Sequence, residues 1–290
     1  MRVLAALLGV VVLHGCAVEA APRAAAVPPA RPERVVSLDF CADQFVLQLA
    51  DRDQIAALSV HSESGFSHLR QSAGGLAQVR DRAEEVLALR PDLVVRAYGG
   101  GASIAGFLDR ADVPLAQLAF GEDFETVRAN VRAMAKALGH PERGEALVQA
   151  FDARLGAIPG GGEGVREALY LTPAGVTTGE GSLAAEAIRA AGLANFQRAP
   201  GWRPLPLERL AREQPDLAAA SFYDLEKDPQ TVWSAARHPL ARRLLRERPV
   251  VQLEGAWTAC GGWFIIEAVE ALSRARLELE ASEHAGRGPG

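Results

Sequence analysis

The stretch Asp123–Ile158, DFETVRANVRAMAKALGHPERGEALVQAFDARLGAI, decides how the chain is read. Phe124, Val127, Val131, Met134 and Leu138 recur at steps of three and four, and Leu147, Phe151, Leu155 and Ile158 resume the pattern. That period marks an apolar stripe along helices. Gly139-His140-Pro141 interrupts it, Pro141 suits the first turn of a second helix, and Pro159-Gly160-Gly161-Gly162 stops it. On each side, short apolar strands alternate with helical patterns. The expectation is a stiff helical connector over residues 123–164 between two α/β lobes, residues 33–122 and 165–280, with a ligand cleft between them.

In the first lobe, Arg34–Leu38 reads as a buried strand and Asp39–Asp43 as the turn after it. Asp81 and Glu84 open a helix in the manner of a capping box. Alternation of strand and helix argues for a parallel sheet with right-handed crossovers. The second lobe repeats the plan. Ala168–Leu171 is its first strand, Thr172–Gly181 a turn, and Ser182 the N-cap of a helix to Ala191. Pro200–Pro204 reads as a stiff loop, and a helix follows from Pro206 to Pro215. Asp216–Ala220 and Pro249–Leu253 are strands, a closing helix runs from Phe264 to about Leu279, and residues 281–290 read as a frayed tail.

The chain has 290 residues, 49% of them hydrophobic, and a net charge of −5. Such a balance supports a folded globule and gives no reason to expect nucleic acid. Met1-Arg2 followed by the apolar run Val3–Leu13 reads as an export signal. It ends at Leu13-His14-Gly15-Cys16, which resembles a bacterial lipobox with Cys16 as the lipidated residue. The alternative cut falls after Ala20. Residues 17–32 read as a disordered Ala/Pro tether. Either cut implies a periplasmic protein, lipid-anchored through Cys16 in the first case and freely soluble in the second. No later stretch is apolar enough to span a bilayer, and a monomer is expected. Cys41 and Cys260 remain once Cys16 is spent, and an oxidising compartment favours a disulfide between them.

Two segments echo each other. Glu84 and Glu208 are each followed, after six intervening residues, by Pro-Asp-Leu: Pro91-Asp92-Leu93 and Pro215-Asp216-Leu217. The lobes are therefore expected to be related by pseudo-symmetry, with Glu84 and Glu208 on matching surfaces. Near a helix start, either carboxylate also suits the free N–H groups and the dipole.

With these motifs in order, the chain resembles the iron-chelate/cobalamin class of periplasmic substrate-binding proteins that serve ABC importers. The resemblance rests on Arg34–Gln44, Glu84–Val95, Thr178–Ser182 with Ala191–Asn195, and Glu208–Leu217, and it covers Pro32–Ala275. It implies two Rossmann-like lobes with limited hinge motion. It also implies that Glu84 and Glu208 dock on arginines of a membrane permease, one at the top of each lobe. Tyr98 and Trp202 fall where cobalamin binders of this class place aromatics. The ligand it implies is a metal chelate: cobalamin or cobinamide, a ferric siderophore, or haem. No resident cofactor or metal is expected.

Turns at the carboxyl ends of the strands should line the cleft. In the first lobe they select Asp39, Cys41, His61, Tyr98 and Gly99. In the second they select Gly179, Ser182, Trp202, Arg203, Tyr223, Trp257 and Cys260. Arg203 would meet a carboxylate, phosphate or catecholate; Trp202 would meet an apolar macrocycle edge or simply pack its loop. The Gly99–Gly101 run reads as an anion cradle or a tight turn, and it lacks the Lys-Ser/Thr of a P-loop. Three readings of Cys41 and Cys260 stay open: a disulfide tying the lobes, a soft-metal thiolate pair, or two separate buried thiols. His61 and His68 are either solvated loop residues or metal ligands. No nucleophile elbow, zinc-protease or Walker motif is present, so an enzyme is not expected. The alternatives are an exported enzyme or a sensor lipoprotein on the same scaffold.

Overall fold

The computed structural model describes residues 27, 30–97, 103–161, 165–223 and 234–286. The expected signal segment with Cys16, and Tyr98 with the Gly99–Gly101 turn, lie outside them. The first lobe runs β1 (Val35–Ser37), α1 (Phe40–Leu49), β2 (Ile55–Ser59), β3 (Gln78–Val79), α2 (Ala83–Ala88), β4 (Leu93–Arg96), α3 (Ala105–Arg110) and β5 (Leu115–Gln117). These strands form a five-stranded parallel sheet in the order β3-β2-β1-β4-β5. Helices α4 (Phe124–Ala137) and α5 (Pro141–Gly156) follow.

The second lobe contains β6 (Glu167–Leu171), β7 (Val176–Thr178), α6 (Leu183–Ala190), β8 (Ala194–Asn195), β9 (Trp202–Pro204) and α7 (Leu207–Leu210). It closes with β10 (Leu217–Ser221), α8 (Pro239–Glu247), β11 (Val250–Leu253), α9 (Gly255–Thr258) and α10 (Ile265–Gly286). Its parallel sheet has the order β11-β10-β6-β8, and β7 and β9 form a separate antiparallel ribbon.

Side-chain alternation explains the layering. Val35, Leu93, Val95, Ala168, Tyr170, Leu217 and Ala219 point to one apolar core that runs through both lobes. Their neighbours Val36 and Val94, and Leu169, Leu171, Ala218 and Ala220, point outward to two separate clusters under the outer helices. Both faces of each sheet are covered, so the strands read as unbroken apolar runs. The common core also takes Val127, Val131 and Met134 of α4, Val148 and Phe151 of α5, and Ile265–Leu272 of α10.

The Pro-Asp-Leu echo has a structural meaning in both lobes. Asp92 accepts from the backbone N–H groups of Glu33 (2.7 Å) and Arg34 (2.9 Å), at the entrance to β1. Asp216 accepts from Glu167 N–H (2.7 Å), at the entrance to β6. Each aspartate thus ties the strand it precedes to the strand beside it.

Several expectations are corrected. The connector is a helical hairpin: α5 folds back on α4, joined by Arg128–Asp152 (2.8 Å) and Arg132–Glu145 (2.9 Å) ion pairs. Gly144 permits the close approach, since a Cβ there would lie 2.5 Å from Ala135 Cβ. Both helices reach the second lobe: Phe124 N–H at the start of α4 donates to Glu186 of α6 (2.6 Å), and Arg154 of α5 pairs with Glu270 (2.8 Å) and Glu267 (2.9 Å) of α10. The expected tail is helical to Gly286, and Arg166 pairs with Glu283. Arg82, not Asp81, occupies the N-cap of α2, and Glu85 reaches back to Arg80 N–H (3.4 Å). The 200–204 loop and the 172–181 turn contribute β9 and β7, whose pairing supplies backbone partners that a free loop would lack. The helix after Pro206 is a single turn, α7. Helix α8, opened by His238 and Pro239, has no counterpart in the sequence reading.

Asp43 lies fully buried at the carboxyl ends of β1 and β2. It accepts from Ser59 N–H (3.0 Å) and Ser59 Oγ (2.6 Å). Burial pushes its carboxyl up to about 6, against the lowering effect of the Ser37 and Ser59 hydroxyls. A raised folded-state value means stability that is present at low pH and lost as pH rises through about 6. Relative to Asp43→Asn, the unfolding free energy of the wild type is expected to fall by about 2 kcal/mol between pH 4 and 7. Urea titrations across that range check it, and a pH-independent difference would contradict it.

Candidate functional site

The winding of each sheet reverses once, between β1 and β4 in the first lobe and between β6 and β10 in the second. Crevices outside the carboxyl ends of strands at such points are where open α/β sheets bind ligands. The two crevices meet along a seam. Cys41, in the first turn of α1, is disulfide-bonded to Cys260, with Cα atoms 5.5 Å apart. Gly121 and Gly261 meet backbone to backbone, and a Cβ on either would lie 2.7 Å from the other's Cα. Phe45 packs edge-on against Trp263 (5.3 Å), and His68 stacks on Phe264 (4.8 Å). Burial lowers the His68 imidazole, so it stays neutral at pH 7.

At the mouth of the seam three phenylalanines form a chain across the lobes. Phe40 and Phe66 of the first lobe lie 5.8 Å apart, and Phe66 lies 6.1 Å from Phe222 of the second. Phe66 is 42% exposed and Trp202 50% exposed, unusual values for side chains of this size and apolarity. Trp202 stands on β9 with its ring edge-on to Tyr170 (5.9 Å). Below it the Ser221 and Thr258 hydroxyls lie 2.6 Å apart. Burial raises the Tyr170 phenol, and those two hydroxyls oppose the shift.

The other residues selected from sequence take distinct places. Asp39 caps α1: one carboxylate oxygen accepts from Cys41 and Ala42 N–H (3.1 and 2.9 Å), the other from Ala97 N–H (2.7 Å). Its charge therefore closes the β1–β4 crevice. His61 is exposed, its backbone N–H bound to Ser59 Oγ (3.2 Å). Ser182 is buried as the N-cap of α6, accepting from Ala185 N–H (3.1 Å). Gly179 lies against the 197–201 loop, where a Cβ would come within 2.0 Å of Ala199 O. Arg203 folds back onto Pro200 O (3.0 Å). Tyr223 packs against the outer cluster of the second lobe, and Trp257 against the common core.

A cavity of about 950 Å³ runs beside α6, from Glu180–Ser182 to Gly192–Asn195. Its walls carry Glu122, Glu186, Arg189 and Arg198. Among the selected residues it includes Ser182 and excludes the aromatic chain. Its lining joins Glu122 and Asp123, next to the seam's Gly121, to the amino end of α6 and to β8. The flat apolar surfaces lie on the seam. No cluster of three or more His, Cys, Asp or Glu side chains suited to a metal occurs among the described residues. Nor is any described helix long and apolar enough to cross a membrane.

Phe66 and Phe222 were missed in the sequence. The echo itself contained the second signal: counted from Pro-Asp-Leu, Phe222 stands where Tyr98 stands in the first lobe.

A family model described as periplasmic binding protein matches residues 35–221. The chain belongs to the periplasmic binding protein family. That family is one of binding proteins, not enzymes. No curated protein sequence matches the chain. Among solved structures it is similar to the heme-binding protein HutB of Vibrio cholerae, with TM-score 0.68 and 18% identity over 87% of this chain and 99% of that one. It is also similar to the heme-binding protein RhuT of Roseiflexus sp. RS-1 (TM-score 0.65, 22% identity, 84% and 99%). A third is the vitamin B12 binding protein BtuF of Vibrio cholerae (TM-score 0.58, 17% identity, 86% and 97%). At these identities the likeness is one of fold.

The disulfide closes a loop of 219 residues. Chain entropy alone would give such a cross-link a stabilisation on the order of 5 kcal/mol. The Cys41→Ala/Cys260→Ala variant is expected to remain folded, because the core crosses the seam, but to unfold at clearly lower temperature. A calorimetric scan checks both points, and an unchanged Tm would contradict the account.

Proposed function

We propose that the protein captures a metal chelate with a flat apolar face in the interlobe seam and delivers it to an ABC permease. Haem, a corrinoid or an aromatic ferric siderophore fits that description. One observation carries the reading: Val60, Phe66, Phe120 and Trp202, all exposed, stand on the loops and ribbon around the seam. Isolated exposed apolar residues need no explanation, whereas a group at a sheet switch point does. The likeness in fold to heme- and B12-binding proteins supports the same ligand class. Trp202 and Phe66 would cover the macrocycle, and exposed His61 stands at the rim as a candidate axial group.

Delivery rests on Glu84 and Glu208. Both are exposed and occupy the second position of α2 and α7. Each helix runs into the amino end of a strand, β4 or β10, so its own amino end faces the seam side. The two carboxylates thus flank the mouth, one per lobe, where they would steer and orient docking on a basic permease surface. The helix dipole favours them there as well.

Titration of the mature protein with hemin, cobinamide, cobalamin and a ferric tris-catecholate is expected to give saturable one-to-one quenching of tryptophan fluorescence by at least one. Trp202→Ala should weaken that complex about tenfold. Silence across the panel would contradict the chelate reading. In reconstituted transport with the cognate permease, Glu84→Lys/Glu208→Lys should bind ligand as the wild type does yet lose most transport. Normal transport would remove the docking role.

A further inference from the structure

Phe222 has φ +68°. A bulky aromatic in that region is an outlier, because its Cβ crowds the neighbouring carbonyl. Such strain persists where the surroundings over-determine the conformation, and it concentrates at functional sites. Here the two neighbours supply the constraint. Ser221 ends a fully buried strand and is pinned by Thr258 at 2.6 Å. Tyr223 is seated in the outer cluster of the second lobe. A left-handed residue between them turns the chain so that the Phe222 ring faces the opposite lobe, against Phe66. Phe66 differs in its backbone: it lies in the Ser64-Gly65-Phe66-Ser67 turn with a φ that is not positive, beside buried Ser67, which accepts from Gln44 Nε2 (2.6 Å).

We infer that Phe222 is the fixed face of an aromatic slot and Phe66 its opposing face, so that the strained backbone at residue 222 sets ligand affinity. This rests on the chelate reading above and assigns it a specificity-determining residue. The two rings stand 6.1 Å apart and are inclined by 48°. A flat conjugated ligand in contact with both needs about 7 Å between them, two contacts of about 3.5 Å. A parting of roughly 1 Å and a levelling of the Phe66 ring would therefore admit it. Phe222 cannot yield without moving a buried strand end. Phe66 can turn its exposed ring about its own side-chain bonds with the loop backbone held.

The test combines binding and melting of Phe222→Gly, Phe222→Ala, Phe222→Tyr and matched Phe66→Gly and Phe66→Ala variants. The probes are hemin, cobinamide, a ferric tris-catecholate and metal-free protoporphyrin IX. Phe222→Gly and Phe222→Ala should each weaken the best-bound probe at least tenfold, and Phe222→Tyr should stay within about twofold of wild type. Phe222→Gly should melt about 2–4 °C above Phe222→Ala, because only glycine is at ease with that φ. At position 66 the order should reverse, with glycine melting below alanine. A glycine variant at 222 melting at or below its alanine counterpart overturns the inference, as does unchanged binding in both. Chelate binding indifferent to Phe222 overturns it and leaves the chelate reading standing. Phe222-dependent binding of protoporphyrin alone, with no metal chelate bound, does the reverse. If no probe binds, both fall.

Discussion

One apolar core passes through both lobes, and the architecture depends on it. In a two-lobed protein with separate cores, the interface is free to open. Here Val35 and Phe45 of the first lobe, Phe151 of the connector, and Tyr170, Phe264 and Val269 of the second belong to the same buried cluster. Separating the lobes would expose several large side chains at about 1.5–3 kcal/mol each. Helix α10 completes the arrangement. Its Arg276, almost wholly buried, donates to Ala191 O (2.9 Å) at the end of α6 and to Pro159 O (2.8 Å) at the end of the connector. Arg154 of α5 grips the same helix from outside, and Glu270 and then Glu267 hold its guanidinium protonated. The shared core packs the two lobes together along the seam.

That rigidity defines what the site can do. A receptor that closes around its cargo gains affinity from interdomain contacts made on closure. A receptor with a fixed seam must present matching surfaces beforehand, which limits the ordering cost of binding. The disulfide and the Gly121–Gly261 contact hold the floor of the seam. Several polar groups beneath the mouth are already paired: Asp39 with backbone N–H groups, Asp43 with Ser59, Ser221 with Thr258. The large apolar side chains left facing outward there are Val60, Phe66, Phe120 and Trp202. The 60–73 loop beside the mouth is tied to α1 by buried Gln44, which accepts from Leu69 N–H (2.6 Å) and donates to Ser67 Oγ (2.6 Å).

Much of this was legible in the residues. The 3.6-residue period of Asp123–Ile158 located the helices that separate the lobes, and alternation of apolar strands with helices gave two parallel sheets. The Pro-Asp-Leu echo exposed the pseudo-symmetry, whose physical content is a carboxylate tying neighbouring strands. The connector's hairpin was not legible, because the period fixes a helix's apolar face but not its partner. It depended on Gly144 lying against Ala135, a contact between residues nine apart. The helical end of the chain was masked by its charged composition, which Arg166–Glu283 and Arg276–Glu280 pairs accommodate. At the mouth, polar and tyrosine residues drew attention first. Tyr223 turned inward and Phe222 outward because a single left-handed residue reversed the alternation expected at a strand end. No local propensity foretells that for phenylalanine.

The most direct test of a single preformed body is the distance between the lobes. Spin labels on non-cysteine, genetically encoded residues at Ala88 of α2 and Arg242 of α8 would leave the disulfide intact. Pulsed dipolar spectroscopy should give one narrow distance distribution. Its centre should move by less than about 2 Å between the empty protein, the chelate-loaded protein and the disulfide-reduced protein. A broad or two-peaked distribution in the empty protein, or a shift of several ångströms on loading, would contradict the shared core as the governing constraint.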